Sequence, residues 1–117
     1  MISKSHRFHG HNSLTYVYRH GQVVRGPLMA LKYVTNDRRD AYRLSVVVSK
    51  KVAKSAVVRN RIRRRLYEAY RQSEDHIVKP YDMVVTVFSD VVQSLPADEV
   101  TQAVQAQLKQ AGVTGKG

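Results

Sequence analysis

One stretch of the sequence, residues 57–73, restricts the possible folds most, because its apolar side chains recur with the period of an α-helix. The recurring residues are Val58, Ile62, Leu66 and Ala69, at spacings of four, four and three. A helix has about 3.6 residues per turn, so side chains at these spacings share one face. The pattern predicts a helix over 57–73 that packs this stripe against the rest of the chain.

Arginine occupies five of the seven positions from 59 to 65 in the same helix. The residues that the helical period points away from the stripe or along its flanks are Arg59, Asn60, Arg61, Arg63, Arg64 and Arg65. Glu68 is the single acidic residue in the helix, so pairing within the helix leaves this band charged. Because a guanidinium fork can hold a phosphate in a defined orientation, the band predicts a contact with nucleic acid.

The chain as a whole is basic, and its charge is uneven. Its 117 residues carry a formal net charge of +11. Residues 1–71 hold 17 Lys and Arg against three acids, whereas residues 72–117 hold three against six. A polyanion would relieve the self-repulsion of such a surface, so nucleic acid is the leading partner. A basic surface that is only solvated is the alternative.

Cysteine is absent from the sequence, which excludes disulfides and thiolate zinc sites and agrees with a reducing compartment. The polar, His-rich segment 1–12 lacks the apolar core of a signal peptide. The apolar runs elsewhere are far shorter than the roughly 18–20 residues that span a bilayer. We therefore expect a cytoplasmic protein that makes no use of a membrane.

The remaining periodic segments complete an α-β-β-β-α-β-α order. A first helix is predicted near 12–20, with Asn12 as its cap and Gly21 at its end. The predicted strands are 23–24, 28–34, 42–48 and 83–88. Residues 42–48 are apolar enough for a central strand buried on both faces, and 83–88 for a second buried strand.

The last helix is predicted to begin near Pro96 and to stop at Gly112. Its inward stripe is Val100, Val104, Leu108 and Ala111. The element order favours an α+β sandwich of one sheet and packed helices. We expect a single domain over residues 1–111, with 112–117 as a disordered tail.

The segment 49–66, SKKVAKSAVVRNRIRRRL, closely resembles the signature region of the bacterial ribonuclease P protein component, including its Arg-Asn-Arg motif. The similarity extends over about residues 5–111. It includes Arg7 and Phe8 at the entry to the first helix, a basic turn at His20, Gly21 and Arg25, and Tyr81 to Val85 in the fourth strand. The resemblance implies an αβββαβα fold with a four-stranded mixed sheet and a left-handed crossover from the third strand through the basic helix to the fourth.

The same resemblance implies a protein subunit of ribonuclease P, an endoribonuclease whose catalytic centre lies in its RNA subunit. The implied partners are ribonuclease P RNA and precursor tRNA, from which the 5′ leader is removed. Mg²⁺ would be held mainly by the RNA subunit and the substrate. We expect no catalytic residue and no metal site in the protein, and a monomer when it is alone.

Two groups of site residues follow from the resemblance. The residues expected to bind the RNA subunit are Lys51, Arg59, Asn60, Arg61, Arg63, Arg64 and Arg65. The residues expected to line a cleft for the single-stranded leader are Leu14, Tyr18, Lys32, Lys50 and Lys54. Leu14 replaces a usual aromatic residue and Lys32 falls near the position of another, so charge contacts gain weight over stacking. For Leu14 and Tyr18, ordinary core packing is the alternative.

Two other functions are compatible with this composition. A non-enzymatic RNA-binding protein, such as a ribosomal or assembly factor, would use the same basic band. A free-standing nuclease would use His6, His9 and His11, but their spacing defines no single face and no carboxylate lies near them before Asp37. We expect these histidines to be solvated or to contact RNA.

Overall fold

In the described part of the chain, three helices and four strands follow one another in the predicted order. They are α1 His11–His20, β1 Gln22–Arg25, β2 Met29–Thr35, β3 Arg43–Val47, α2 Ala56–Ser73, β4 Tyr81–Val87 and α3 Ala97–Ala111. A short 3₁₀ turn, Asp90–Gln93, lies between β4 and α3 and is called the 90–93 turn below. The computed structural model describes residues 11–36, 41–77 and 80–114, with the backbone alone at 11–13.

The four strands form one mixed sheet in the order β1-β2-β4-β3. β2 is antiparallel to both β1 and β4, whereas β3 is parallel to β4. The predicted hairpin between β1 and β2 is confirmed, and the Gly26 N–H donates to the Met29 carbonyl at 2.9 Å. Helix α2 connects the parallel strands β3 and β4, as the implied βαβ crossover requires.

The central position predicted for the third strand is wrong, because β3 lies at the edge of the sheet. Its burial on both faces is nevertheless real. Leu44 and Val46 belong to the main core, while Val47 packs against the small cluster around Val17 in α1. Helices on both sides of the sheet therefore bury this edge strand, and the apolar run reflects their cover rather than a second neighbouring strand.

The main core lies between one face of the sheet and helices α2 and α3. Its fully buried members include Leu31, Leu44, Met83, Ile62, Leu66, Val104 and Leu108. The predicted stripes of α2 and α3 both face this core, with Val58 and Ala111 partly buried at its margins. Burying one such aliphatic side chain contributes about 1.5–3 kcal/mol, so this layer holds α2 firmly on the sheet.

Helix α1 covers the opposite face of the sheet, where it packs on β2 and β4. Val17 is 0% exposed and meets Val84, which is 1% exposed. The helix begins at His11, so Asn12 lies in its first turn rather than at the predicted cap. Gly21 follows α1 as predicted, and a Cβ there would lie 2.6 Å from the Val17 carbonyl oxygen.

Helix α3 ends at Gly112 as predicted, with a left-handed φ of 77° that favours glycine. The disordered tail predicted from residue 112 is wrong as far as Thr114. Val113 is fully buried in the main core, and its N–H donates to the Leu108 carbonyl at 3.1 Å. A single apolar side chain after a helix-ending glycine can fold back onto the helix that it follows, a contact typical of such caps. Residues 115–117 lie outside the described ranges.

Candidate RNA-binding surfaces

Helix α2 presents its arginine-rich side to solvent because its apolar side is held in the core. The Ser55 hydroxyl caps the helix by accepting from the Val58 N–H at 3.4 Å. Ile62 and Leu66 are each 0% exposed. The predicted RNA-binding residues Lys51, Arg59, Asn60, Arg61, Arg63, Arg64 and Arg65 are here called the basic band. Of these, Lys51, Asn60, Arg61 and Arg64 are exposed, and Arg59, Arg63 and Arg65 are partly buried.

Two residues at the centre of the band are the best placed to meet an external anion. Arg64 makes no hydrogen bond or ion pair with any described residue, and it is exposed. Arg63 donates to the Asn60 side-chain oxygen at 2.8 Å, a neutral partner that leaves its charge uncompensated. These side chains can therefore offer charge-assisted hydrogen bonds to phosphate.

Arg59 holds the connection before α2 in place. Its guanidinium donates to the carbonyls of Ala53 and Lys54, each at 2.9 Å. The connection carries Lys50, Lys51 and Lys54, all exposed. The arginine therefore fixes the backbone that bears these lysines while keeping its own positive charge, because carbonyl acceptors are neutral.

Arg61 and Arg65 contact the 90–93 turn instead of solvent alone. Arg61 Nη1 donates to the Gln93 side-chain oxygen at 3.3 Å. Arg65 donates from Nη1 to the Val92 carbonyl at 2.6 Å and from Nη2 to the Leu95 carbonyl. The sequence pattern placed Arg65 on the flank of the apolar stripe, but it could not identify these distant carbonyls as its partners.

Arg71 is set apart from the basic band by an ion pair. Its Nη2 lies 2.5 Å from Glu68 Oε2, and the hydrogen bond from Arg71 lowers the pKa of Glu68 to about 2. The carboxylate therefore stays charged at neutral pH. Glu68, the acid in α2 that could have compensated the basic band, pairs with Arg71 instead. Among the described residues, no carboxylate forms an ion pair with the band.

The predicted leader cleft lies where α1 crosses the sheet, and two of its residues are in contact. Lys32 Nζ donates to the Tyr18 carbonyl at 2.9 Å and lies 5.5 Å from the centre of the Tyr18 ring. Tyr18 is 43% exposed, so its ring is open to an external partner. Leu14 packs partly buried against the Val17 and Val84 cluster, which favours the core-packing interpretation for this residue.

The remaining predicted cleft residues, Lys50 and Lys54, lie in the connection after β3 and are exposed. No hydrogen bond or ring contact among the described residues joins them to Tyr18 or Lys32. The structure thus brings together Tyr18 and Lys32 directly and leaves the two lysines as separate charges beyond the strand end.

A second aromatic and cationic pair, which the sequence did not predict, lies on the same face of the sheet. Arg25 lies over the Phe88 ring, with 6.0 Å from its Cζ to the ring centre. Phe88 was predicted to end a buried strand, but it is 43% exposed, so that prediction is wrong at this residue. The β1–β2 register sets Arg25 opposite Ala30 and Val23 opposite Lys32, and alternation along β1 puts Arg25 on the Lys32 face.

The signal for this pair was hidden because Phe88 continues the apolar run of β4 by one residue. The Phe88 N–H donates to the Leu28 carbonyl at 2.8 Å, so the chain still pairs with the hairpin there. The ring is nevertheless 43% exposed, so the last side chain of this apolar run is not covered. Whether an apolar side chain at a strand end is covered depends on tertiary packing, which the local sequence does not specify.

An acidic residue on the cleft side of the sheet is neutralised internally. Asp82 is 3% exposed and accepts two hydrogen bonds from the Arg43 guanidinium, at 2.9 and 2.8 Å, and one from the Asn36 amide at 2.8 Å. The hydrogen bonds that the Arg43 guanidinium donates to Asp82 raise the pKa of Arg43, so its positive charge stays beside the carboxylate. The carboxylate therefore adds no uncompensated negative charge to this face.

The structure offers no metal centre in its described ranges, where no three His, Asp or Glu side chains meet. His6, His9 and the side chain of His11 lie outside those ranges, so the predictions made for them stay predictions. No helix in the described part of the chain is long and apolar enough to cross a bilayer.

The sequence is similar to those of one known protein family. The family model described as Ribonuclease P matches residues 2–112. The chain is 34% identical over 87 residues to the ribonuclease P protein component of Pseudanabaena sp. (strain PCC 6903), covering 74% of this chain and 75% of that protein. It is 35% identical over 106 residues to the protein of the same name from Clostridium beijerinckii, covering 85% and 82%.

Solved structures give the same result in three dimensions. The Staphylococcus aureus RNase P protein superposes with a TM-score of 0.83 at 25% identity, over 96% of this chain and 100% of that chain. The RNase P protein from Thermotoga maritima superposes with a TM-score of 0.79 at 21% identity, over 89% and 96%, and shares the fold. With its family model matched over nearly its full length, this chain belongs to the ribonuclease P protein family.

Proposed function

We propose that this chain binds the catalytic RNA of ribonuclease P through the basic band, and the 5′ leader of precursor tRNA through the sheet face beside α1. The observation that carries the proposal is that the cations of the basic band have no negatively charged partner among the described residues. These cations are anchored by an apolar underside and, among the described residues, bonded only to neutral partners. In a chain of this family, such a surface fits a folded RNA.

The leader surface is supported by the two aromatic side chains and their cations. Tyr18 with Lys32, and Phe88 with Arg25, expose rings on one side of the sheet. Stacking on exposed rings accepts any base, and the neighbouring cations suit the phosphate backbone. This chemistry fits a substrate class whose leaders differ in sequence.

The protein supplies no nucleophile in this proposal. Mg²⁺, held mainly by the RNA subunit and the substrate, would activate water and stabilise the leaving oxygen. The side chains of this chain bind and orient: the basic band holds the RNA subunit, and the sheet face holds the leader. Hydrolysis that removes the leader then gives the mature 5′ end of the tRNA.

Reconstitution tests the proposal. The purified protein alone should not cleave precursor tRNA. Added to a bacterial ribonuclease P RNA, it should restore cleavage at low Mg²⁺, where the RNA alone fails, because its cations take over part of the charge neutralisation. No gain in that assay would reject the proposal.

Two comparisons separate this proposal from the other functions that the sequence permits. A general RNA-binding protein would bind tRNA equally with and without a 5′ leader in the presence of the RNA subunit, whereas the proposed subunit prefers the leader. A free-standing nuclease would lose its activity when His6, His9 and His11 are replaced together by Ala. The proposed subunit should retain most of its effect in that variant.

A further inference from the structure

The 90–93 turn lies between the two proposed RNA-binding surfaces. At one end, Phe88 leaves β4 with its ring open. The side of the sheet that carries Tyr18 with Lys32 and Phe88 with Arg25, proposed above to bind the leader, is called the leader face below. At the other, the turn packs on α2 beside the basic band. Ser89 caps the turn by accepting from the Val91 N–H at 3.3 Å. Only residues 89–91 lie between Phe88 and Val92, whose carbonyl accepts a hydrogen bond from Arg65 in α2.

Arg65 is the residue that joins this turn to the helix most directly. One guanidinium donates to two carbonyls, those of Val92 and Leu95. These carbonyls lie on either side of the point where the turn ends, so one planar group fixes both flanks. Arg61 adds a weaker contact of 3.3 Å to the Gln93 side chain.

The geometry sets Arg65 apart from its neighbour Arg64. Arg65 is partly buried and commits two of its donor groups to backbone carbonyls, while Arg64 is exposed and bonds no described residue. A phosphate ligand needs its fork directed outward. The orientation of Arg65 suits a contact within the protein.

We propose that Arg65 is a positioning residue, which sets where Phe88 and the single-stranded RNA on the leader face lie relative to the phosphate contacts of α2. The inference deepens the proposed function and rests on it. Within the basic band, Arg65 thus organises the surface and leaves the phosphate contacts to the other members, because its donors are bonded to backbone carbonyls. It acts through the 90–93 turn, so its effect should depend on the presence of the Phe88 ring.

The test uses the holoenzyme reconstituted with a bacterial ribonuclease P RNA, and measures affinity for precursor tRNA with and without a 5′ leader. Arg65→Ala should reduce the leader advantage several-fold, while the salt dependence of binding to the RNA subunit stays as in wild type. Arg64→Ala should do the reverse, flattening that log-log slope by about 0.7–0.9 for one lost phosphate contact.

A double-mutant cycle shows whether Arg65 acts through the ring. Phe88→Ala alone should reduce the leader advantage, and adding Arg65→Ala should cause little further loss because coupled residues are not additive. Full additivity would overturn the inference. A slope in Arg65→Ala as flat as that in Arg64→Ala would also overturn it, by making Arg65 a phosphate ligand.

A matched control separates positioning from general loss of stability. Val104→Ala opens the core at α3, where Val104 is 0% exposed, and should lower the melting temperature without changing the leader advantage. If Arg65→Ala lowers the melting temperature yet keeps the full leader advantage, its role is structural only and the inference fails. Arg65→Met, which keeps the aliphatic stem, replaces Arg65→Ala if that variant is unfolded at the assay temperature.

The outcome in the wild type distinguishes the two proposals. A wild-type holoenzyme without any leader advantage overturns the proposed function, and the inference with it. A wild-type leader advantage that Arg65→Ala and Arg65→Met both preserve overturns the inference alone.

Discussion

Tyr18 and Phe88 are aromatic residues whose surroundings leave them partly open. Each is 43% exposed, and each has a cation within about 6 Å of its ring centre. Such a pair contributes about 0.5–1 kcal/mol at an exposed site, enough to bias the ring orientation but not to bury it. A base can therefore stack on the free face of the ring while the cation remains beside the backbone.

Replacing Tyr18 tests stacking at the level of one residue. Tyr18→Ala should weaken binding of leader-bearing precursor tRNA by about 1–3 kcal/mol, the usual value of one base on one ring. Tyr18→Phe keeps the ring and should bind almost as wild type, since the Lys32 bond goes to the backbone carbonyl. Equal affinities for the two variants in holoenzyme titrations would show that the ring does not stack.

Replacing Gly112 tests whether the left-handed backbone conformation at the end of α3 requires glycine. Its φ of 77° is costly for any residue with a Cβ, so Gly112→Ala should lower the free energy of unfolding by about 1–2 kcal/mol. Thr114→Ala, two residues on and partly buried, is a control with no such backbone demand. Urea denaturation of both variants gives the comparison, and an unchanged midpoint in Gly112→Ala would contradict it.

Helix α2 combines two demands that normally conflict, a strong attachment to the core and a dense positive charge. Its apolar stripe meets the first demand, with Ile62 and Leu66 fully buried. The arginines meet the second in different ways: Arg59 and Arg65 bond backbone carbonyls, whereas Arg64 remains open. The band is therefore divided between side chains that organise the surface and side chains that are free to meet RNA.

The salt dependence of RNA binding tests this division at the level of the element. Arg64→Ala should lower the log-log slope for binding the RNA subunit by about 0.7–0.9, because one condensed counterion fewer is released. Lys109→Ala removes the same charge from an exposed position on α3 and should leave the slope almost unchanged. Equal slopes for both variants would mean that the loss of net charge, and not a local contact, controls binding.

At the scale of the whole molecule, the charge of +11 makes the isolated protein self-repelling. The Arg43–Asp82 and Arg71–Glu68 ion pairs of the described ranges join charges that this net value already counts, so the excess of positive charge remains. Uncompensated like charge lowers the stability of a compact state, and screening or a bound polyanion restores it.

The melting temperature of the free protein should therefore rise as the salt concentration increases. Addition of ribonuclease P RNA should raise it further, because a ligand present at 100 times its Kd stabilises the folded state by about 2.7 kcal/mol. If neither salt nor the RNA changes the melting temperature, measured by circular dichroism, then repulsion between the positive charges does not destabilise the free protein and the prediction is wrong. A neutral polymer at the same mass concentration is the control for crowding.

The helices and the basic band could be predicted because they depend on local spacing. Periods of about 3.6 residues identified α2 and α3 and their inward stripes, and Gly112 marked the end of α3 at the correct residue. The outward direction of Arg64 followed from the same period. Tyr18 and Lys32 needed the family resemblance, since they are 14 residues apart in the chain and no spacing rule joins them.

The sequence by itself determined the order of the elements, the apolar faces and the place of the positive charge, because each is set by neighbours within one turn or one strand. Only the tertiary structure decided that β3 is an edge strand, that Phe88 remains open, that Val113 closes the core and that Arg65 bonds the 90–93 turn. Each of these depends on partners distant in the chain, whose approach follows from how helices of given length cover the sheet. Local sequence patterns do not specify which helix packs on which strand.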